Sequence, residues 1–230
     1  MKVGIVGLPN VGKSTLFNCL SQSKAQSENY PFCTIDPNVS IVNVPDLRLD
    51  KLTELISPEK LIPTNVKIVD IAGLVKGASK GEGLGNKFLS NIRETDAIIH
   101  VLRCFDDPNI IHVDGKINPM SDKEVVEYEL ILKDIEVVDK RLDKVKKTLR
   151  SGGNESKKEI EVLEKVKLQL ENVSLNKSDY SDEQVDEFIK PLELISFKPI
   201  LYVCNVGEND VISGNDYVDQ VKKEIENKDC

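Results

Sequence analysis

The stretch that decides the fold is Gly7-Leu8-Pro9-Asn10-Val11-Gly12-Lys13-Ser14, which follows the apolar run Val3–Val6 and leads into an amphipathic segment ending at Leu20. A strand, a glycine-rich loop with the pattern G-x-x-x-x-G-K-S and a helix, in this order, are typical of a phosphate-binding loop. The glycines let backbone N–H groups converge on phosphate oxygens, and the helix adds the positive end of its dipole. We therefore predict that this loop binds a polyphosphate.

The side chains of this loop have separate expected roles. Lys13 is placed to reach the β and γ phosphates, and the Ser14 hydroxyl is placed to ligate Mg²⁺. The predicted nucleotide-binding residues of the loop are Asn10, Val11, Gly12, Lys13, Ser14 and Thr15.

A second motif follows at Val66–Gly73, where a predicted strand ends in Asp70 and continues as x-x-Gly. We expect Asp70 to hold Mg²⁺ from its outer shell and the Gly73 N–H to sense the γ-phosphate. Thr34 lies between the two motifs and is the expected third metal-side ligand, on a loop that orders around the γ-phosphate. The alternative for Thr34 is an ordinary surface threonine.

The composition excludes several classes of protein. The chain has 230 residues, of which 40% are hydrophobic and 30% charged, a mixture too apolar for a disordered chain. No run approaches the ~20 apolar residues of a membrane span, and the first predicted strand leaves no room for a signal peptide. Five scattered cysteines favour reduced, buried thiols in a cytoplasmic protein. The net charge of −8 argues against a surface that binds nucleic acid everywhere.

Further apolar runs alternate with helix-like segments. The runs lie at Val39–Val44, Val66–Val69, Ala97–Leu102 and Ile200–Cys204. Continuous apolar strands that alternate with helices predict an α/β fold, a mostly parallel sheet covered on both faces. With the phosphate-binding loop, the pattern predicts a Ras-like P-loop NTPase.

The pattern changes after Pro119. Ser121 with Glu124 is typical of a capping box, and a heptad stripe then runs from Tyr128 to Leu149. A Ser-Gly-Gly-Asn break at 151–154 precedes a second apolar stripe from Leu163 to Val173, so we predict an antiparallel helical hairpin. A short third helix is expected at Asp182–Lys190. The predicted domains are residues 1–118 and 196–230, two parts of the nucleotide-binding domain, and 119–195, a coiled-coil insertion.

Three strings carry a resemblance to a known family: GLPNVGKS at Gly7–Ser14, YPFCTIDPN at Tyr30–Asn38 and DIAGLVKGASKGEGLGN at Asp70–Asn86. Together they resemble the Obg-like ATPases, the YchF family of translation-associated P-loop NTPases. The resemblance implies binding of ATP and ADP, Mg²⁺-dependent hydrolysis and a role in regulating translation or the redox response. It also implies association with the ribosome, through the large subunit or the whole particle, and a monomeric chain.

The base-reading motif differs from the guanine-selective Asn-Lys-x-Asp. The corresponding residues are Asn205-Val206-Gly207-Glu208, so Val206 replaces the lysine and Glu208 the aspartate. A site built to pair with guanine rejects a base that lacks its donors, and losing that geometry removes the penalty on adenine. The family resemblance implies a preference for ATP, with Asn205 and Val206 touching the base, and Glu208 is counted with them among the predicted nucleotide-binding residues. Phe105 is expected to line the pocket, unless it is a plain core aromatic.

The residues expected to act in hydrolysis are Lys13, Asp70 and Gly73. Leu74 stands where Ras-type enzymes have a water-orienting glutamine, so we expect slow intrinsic turnover that depends on charge neutralisation. The resemblance also suggests that Asn10 binds K⁺, which would act as an activator; alternatively, Asn10 only shapes the turn. His100 ends an apolar strand and is interpreted as structural.

Acidic residues open the first long helix and basic residues close it, from Lys140 to Arg150. This order complements the helix dipole. It also gives the hairpin tip a positive charge that suits RNA phosphates.

Two rival functions stay open: a GTPase of Obg type, and a nucleotide-gated ribosome-binding scaffold in which hydrolysis is incidental. Members of the resembled family are longer, with one more strand and a TGS domain. We expect the sheet of this chain to lack an edge strand.

Overall fold

In the computed structural model, residues 1–22, 39–71, 91–112, 115–149 and 155–226 are described. They form a five-stranded sheet of order β2-β3-β1-β4-β5. The strands are β1 Lys2–Val6, β2 Val39–Asn43, β3 Asn65–Asp70, β4 Ala97–Cys104 and β5 Ile200–Val206. Only β2 runs antiparallel to its neighbour among these strands. The predicted Ras-like, mostly parallel α/β fold is confirmed.

The centre of the sheet is formed by β1 and β4, whose apolar residues are buried on both faces. Ile5, Val6, Ile98 and Val101 are each at most 1% exposed. The outer strand β5 is less covered, and Leu201 is 61% exposed. Two strands extend further than their apolar runs, because β4 continues through Cys104 and β5 through Val206. These extensions carry polar side chains to the carboxyl edge of the sheet.

The α-helices that lie wholly within the described residues are α1 Lys13–Gln22, α2 Leu47–Ile56, α3 Pro119–Leu149, α4 Glu155–Glu171, α5 Asp182–Gln184 and α6 Asp216–Glu226. The amino end of α2 is capped by the Asp46 side chain, which accepts from the Arg48 N–H at 2.9 Å. Within the described ranges, no helix is both long enough and apolar enough to cross a membrane.

The start of α3 differs from the predicted capping box at Ser121. The helix begins at Pro119, and the Oδ1 of Asn118 accepts the Ser121 N–H at 3.2 Å. Proline suits the first position of a helix because its missing N–H has no intrahelical partner there. Asparagine is a strong capping residue for the same turn.

The helices α3 and α4 pack as the predicted hairpin. Val138, Leu142 and Val145 of α3 are buried in one apolar cluster with Leu163 and Val166 of α4. Ion pairs that flank the seam are Arg141–Glu159, Lys146–Glu164 and Lys167–Asp139.

The first residue of the first predicted stripe and the last residue of the second are wrong. Tyr128 is 56% exposed and Val173 is 50% exposed, so neither lies in the seam. A helical segment is present at the predicted third helix, but it is not a regular α-helix. A single α-helical turn passes into the five-residue π-helix Val185–Ile189 and then a 3₁₀ turn. Pro191 supplies no N–H, which prevents a regular α-helical continuation.

Buried polar residues join α3 to the sheet. The carboxylate of Asp134 is fully buried and accepts the N–H groups of Ile195 and Ser196 at 2.9 and 2.7 Å. Glu127 accepts from the Tyr202 hydroxyl of β5 at 2.6 Å and pairs with Lys123. The helical segment is therefore fixed to the sheet by hydrogen bonds as well as by apolar contacts. The predicted domain division at residues 118 and 195 stays a prediction.

The cysteines follow the predicted burial only in part. Cys104 is buried, and Cys204 is half-buried. Cys19 is exposed, so the expectation of uniformly buried thiols is wrong. Cys19 lies on the solvent-exposed face of α1, whose opposite face packs on the core. Cys33 and Cys230 lie outside the described residues.

Candidate nucleotide site

The loop between β1 and α1 has a backbone that depends on its glycines. Gly7 has φ +150° and Gly12 has φ +100°, in the region that side chains rarely adopt. A Cβ at Gly7 would lie 2.5 Å from the Val101 carbonyl oxygen. A Cβ at Gly12 would lie 2.3 Å from the Asn205 side chain. The close approach of this loop to β4 and β5 therefore requires glycine at both positions.

Lys13 lies at the first position of α1 and is buried. Its Nζ donates to the Leu8 carbonyl oxygen at 2.6 Å, so the side chain folds back over the phosphate-binding loop that precedes α1. Burial lowers the pKa of Lys13 to about 8, and the nearby charge of Asp70 opposes that shift. A bound phosphate group would place further negative charge beside this ammonium group and favour its charged form.

Ser14 and Asp70 come together as the two motifs predicted. The Ser14 hydroxyl donates to Oδ2 of Asp70 at 3.0 Å. The second carboxylate oxygen, Oδ1, is buried and has no hydrogen-bond partner within the part of the chain that the structure describes. Hard oxygen donors of this kind are those that Mg²⁺ prefers. These residues therefore fit a magnesium ion and its bound water.

Two amide side chains tie the phosphate-binding loop to its surroundings. Asn10 adopts φ +62°, and its Nδ2 donates to the Ile111 carbonyl oxygen at 3.2 Å. Asn205, at the end of β5, donates to the Val11 carbonyl oxygen at 3.0 Å. Asn205 is therefore bound to the loop itself, a contact that its place in the base-reading motif did not predict.

A cavity of about 280 Å³ opens beside the loop, between α1 and the ends of β4 and β5. Its lining includes the predicted residues Gly12, Thr15, Asn205 and Val206. Unpredicted lining residues include Cys19, Val203 and Val211. The walls are mostly apolar, as a pocket for a purine ring requires.

The structure does not bring every predicted residue to this cavity. Phe105 lies outside its described lining and packs under the Arg103 guanidinium, 4.7 Å from the ring centroid. Glu208 is exposed and opens the 3₁₀ turn Glu208–Asp210 after β5. Thr34, Gly73 and Leu74 lie outside the described residues. Their predicted roles stay predictions.

The role of Arg103 was missed because its signal is weak. The residue interrupts an apolar strand, which in sequence marks only the end of that strand. In the structure it is 1% exposed and donates to three backbone carbonyls. His100 is likewise buried, and burial lowers its pKa to about 4, in agreement with the structural role predicted for it.

The fold and this geometry define a P-loop NTPase of the Ras-like type. A family model described as 50S ribosome-binding GTPase matches residues 2–165. A relative in Bacillus subtilis (strain 168), named ribosome-binding ATPase YchF, is 53% identical over 225 residues, 97% of this chain and 62% of the relative. A relative of the same name in Escherichia coli O157:H7 is 51% identical over 223 residues, 96% of this chain and 61% of the relative.

The solved structure of the Schizosaccharomyces pombe YchF GTPase is similar, with a TM-score of 0.84 and 41% identity. The match covers 99% of this chain and 62% of that structure. The chain belongs to the 50S ribosome-binding GTPase family and, within it, to the YchF proteins. It spans about three fifths of the length of the relatives that it matches.

Proposed function

We propose that this chain is the nucleotide-binding part of an ATP-driven switch that hydrolyses ATP with Mg²⁺ and associates with the ribosome. The observation that carries the proposal is the hydrogen bond between Ser14 and Asp70 beside the buried Lys13. These three side chains meet at the carboxyl edge of a parallel sheet, next to the amino end of α1. An anion and a divalent cation together satisfy all three.

The individual roles follow from this placement. Lys13 binds the β and γ phosphates, while Ser14 ligates the metal directly and Asp70 holds it through water. Mg²⁺ would neutralise charge that develops on the phosphate oxygens. Thr34 and Gly73 are proposed to complete the metal side and the γ-phosphate contact. With Leu74 unable to orient water, turnover is expected to be slow until a partner or K⁺ assists.

The choice of adenine is supported by the residues at the end of β5. Val206 lines the cavity with an apolar side chain where the guanine-selective motif has lysine. Glu208 is exposed and opens a separate turn. The relatives are named both ATPase and GTPase, so the preference for adenine rests on these residues. The rival is a GTPase of Obg type, and the measured affinities for adenine and guanine nucleotides decide between the two.

Activation by K⁺ is proposed through Asn10. Its Nδ2 is bound to the Ile111 carbonyl, which fixes the orientation of the carboxamide and directs its oxygen away from that bond. A monovalent cation held by this oxygen beside the phosphates would add positive charge to that of Lys13.

The ribosome is proposed as a partner because the relatives carry that name and the hairpin tip is basic. Lys146 and Arg141 are paired with acidic residues of α4. Lys140, Lys144 and Lys147 are exposed and form no ion pair within the described residues. This face of α3 is proposed to contact RNA phosphates, which attract unpaired lysines at close range.

The proposal is tested by calorimetry with ADP, GDP and their non-hydrolysable triphosphates, with Mg²⁺, in K⁺ and in Na⁺. In the calorimetry we expect tighter binding of adenine than of guanine nucleotides. In a separate assay of ATP hydrolysis we expect faster turnover in K⁺ than in Na⁺. A clear preference for guanine, or no binding of either nucleotide, contradicts the proposal. Equal turnover in both salts removes only the role of K⁺.

A scaffold with incidental hydrolysis is separated from a switch by comparing ribosome co-sedimentation with ATP and with its non-hydrolysable analogue. We expect a switch to respond differently to the two nucleotides, and Lys13→Ala to lose both responses because Lys13 binds the phosphates. Equal responses to ATP and to the analogue would favour the scaffold.

A further inference from the structure

Arg103 is among the most completely buried side chains described, and its guanidinium group faces one short segment. It is 1% exposed. Nε donates to the Phe105 carbonyl at 3.2 Å, Nη2 to the Asp107 carbonyl at 3.1 Å and Nη1 to the Ile110 carbonyl at 3.0 Å. The planar fork of arginine suits several fixed acceptors at once, which a lysine ammonium group cannot reach together. The segment 105–110 is therefore folded around this one side chain.

The same segment ends at the contact with the phosphate-binding loop. Ile111 follows directly after the last carbonyl that Arg103 holds, and its own carbonyl accepts from the Asn10 side chain at 3.2 Å. The Ile111 side chain is 79% exposed and does not fix the position of the backbone. The place of the Ile111 carbonyl is thus set by its neighbours along the chain.

His112, which follows Ile111, is fixed to α3. Nε2 of His112 lies 2.9 Å from Oδ2 of Asp122, and both residues are buried. On the sheet side, Arg103 is paired in register with Asn205, which holds the Val11 carbonyl. Two adjacent positions of β4 and β5 therefore act on consecutive residues of the phosphate-binding loop, Asn205 directly and Arg103 through Ile111.

We infer that Arg103 is a positioning residue for nucleotide binding, which orients the Asn10 carboxamide through the backbone of residues 105–111. The inference rests on the proposed function only in that it concerns the same phosphate site. The substitution Arg103→Lys keeps the positive charge but removes the planar guanidinium group, so the three carbonyls lose their donors. The hydrogen bond to Asn10 then loses its fixed acceptor, and the loop opposite the phosphates becomes less ordered.

A double-mutant cycle tests the inference. ADP affinity is measured by calorimetry for the original protein, Asn10→Gly, Arg103→Lys and the double variant; glycine tolerates the positive φ of residue 10. Each single change is expected to weaken binding by about three- to tenfold, the worth of one hydrogen bond. If Arg103 acts through Asn10, the double variant binds no more weakly than Asn10→Gly.

The matched control is Asp134→Asn. Asp134 is equally buried and also holds two backbone groups, but these lie at residues 195 and 196, at the junction of the helical segment. This variant is expected to lower the melting temperature while leaving ADP affinity within about twofold of the original. Multiplied effects in the double variant, or unchanged affinity in Arg103→Lys, would overturn the inference.

Hydrogen exchange tests the contact between Asn10 and Ile111 without nucleotide, and it does not depend on how well Arg103→Lys folds. In the nucleotide-free protein, Asn10→Gly is expected to speed amide exchange in residues 109–112 by about tenfold, since Asn10 and Ile111 hold each other. Unchanged exchange there would overturn the inference. If exchange responds and no adenine nucleotide binds, the proposed function fails, while the contact between Asn10 and Ile111 through which Arg103 acts on the loop stands.

Discussion

Ser14 and Asp70 are hydrogen-bonded at 3.0 Å although 56 positions separate them in the chain. The first lies at the start of α1 and the second at the end of β3. They meet because β1 and β3 are adjacent parallel strands whose carboxyl ends share one edge, with Ile5 paired in register with Asp70. The metal side of the proposed site is thus arranged by the sheet.

The first prediction concerns this pair. Asp70→Asn should weaken Mg²⁺-dependent binding of a non-hydrolysable ATP analogue by about 10–100-fold, the usual cost of losing an outer-shell carboxylate. Binding of ADP in the presence of a chelator should change little. Calorimetry with and without Mg²⁺ measures both quantities.

Asp139→Asn is the control for that experiment, because Asp139 is a paired carboxylate of the hairpin, on α3. It should leave the Mg²⁺ dependence as it is in the original protein. An equal loss in both variants, or a loss that persists without Mg²⁺, would argue against a metal role for Asp70.

The second prediction concerns stability and pH. The pKa of Lys13 is about 8 in the folded protein and near its ordinary 10.5 when unfolded. Below pH 8 the ammonium form must be buried, which costs at most about 3 kcal/mol of folding free energy. The cost declines between pH 8 and 10.5 and is absent above that range. Lys13→Met should therefore raise the free energy of unfolding of the nucleotide-free protein at pH 7, and by less at pH 10.

Urea unfolding at the two pH values measures this difference, and nucleotide binding should be lost in the same variant. Lys167→Met serves as the control, because the hydrogen bond to Asp139 raises the pKa of that half-buried lysine, so its charged form is favoured on balance in the folded protein. A gain of equal size at both pH values, or a loss at pH 7, would contradict the burial of a charged Lys13.

Much of this site could be predicted from the sequence because its motifs are local. The phosphate-binding loop needs glycine at fixed places, and the strand that ends in Asp70 is rich in valine and isoleucine. Both depend on backbone sterics and burial, which short stretches of sequence record. The hairpin was predictable for the same reason, since heptad spacing is a local pattern.

The contacts of Arg103 and Asn205 could not be predicted in this way. Asn205 bonds to a loop 194 positions away in the chain, whereas Arg103 bonds to carbonyls of the segment that directly follows its own strand. Neither residue type favours such a contact by itself. The expected place of Phe105 illustrates the limit. Its aromatic side chain suggested a base pocket, whereas the nearby guanidinium of Arg103 provides the partner that the structure shows.

The third prediction concerns the choice of nucleotide. Val206→Lys with Glu208→Asp rebuilds the guanine-selective pattern at the end of β5. GDP affinity should rise by about tenfold or more relative to ADP, because a carboxylate that accepts two donors of guanine discriminates strongly between bases. Competition between the two diphosphates, followed by calorimetry, gives the ratio directly.

Val211→Ala is a suitable control, since Val211 lines the same cavity and offers no hydrogen bond to a base. It should weaken both nucleotides alike. If the ratio of GDP to ADP affinity is the same in the double variant and the original protein, residues 206 and 208 do not determine the base.

The last prediction concerns the hairpin tip. Reversal of the unpaired lysines in Lys140→Glu, Lys144→Glu and Lys147→Glu should weaken ribosome co-sedimentation by about tenfold or more at low salt. The dependence on salt should also flatten, because each lost phosphate contact removes about 0.7–0.9 from the logarithmic slope. ATP turnover should be unchanged, since these residues lie on α3, away from the phosphate-binding loop.

The control must carry the same change in net charge at another place. Lys51→Glu, Lys60→Glu and Lys223→Glu are exposed and lie outside the hairpin, so together they shift the net charge equally. If binding depended only on the overall charge of −8, both triple variants would bind less well. Loss confined to the hairpin variant, with a flatter salt dependence, would locate the RNA contact on α3; equal loss in both, or none in either, would remove it.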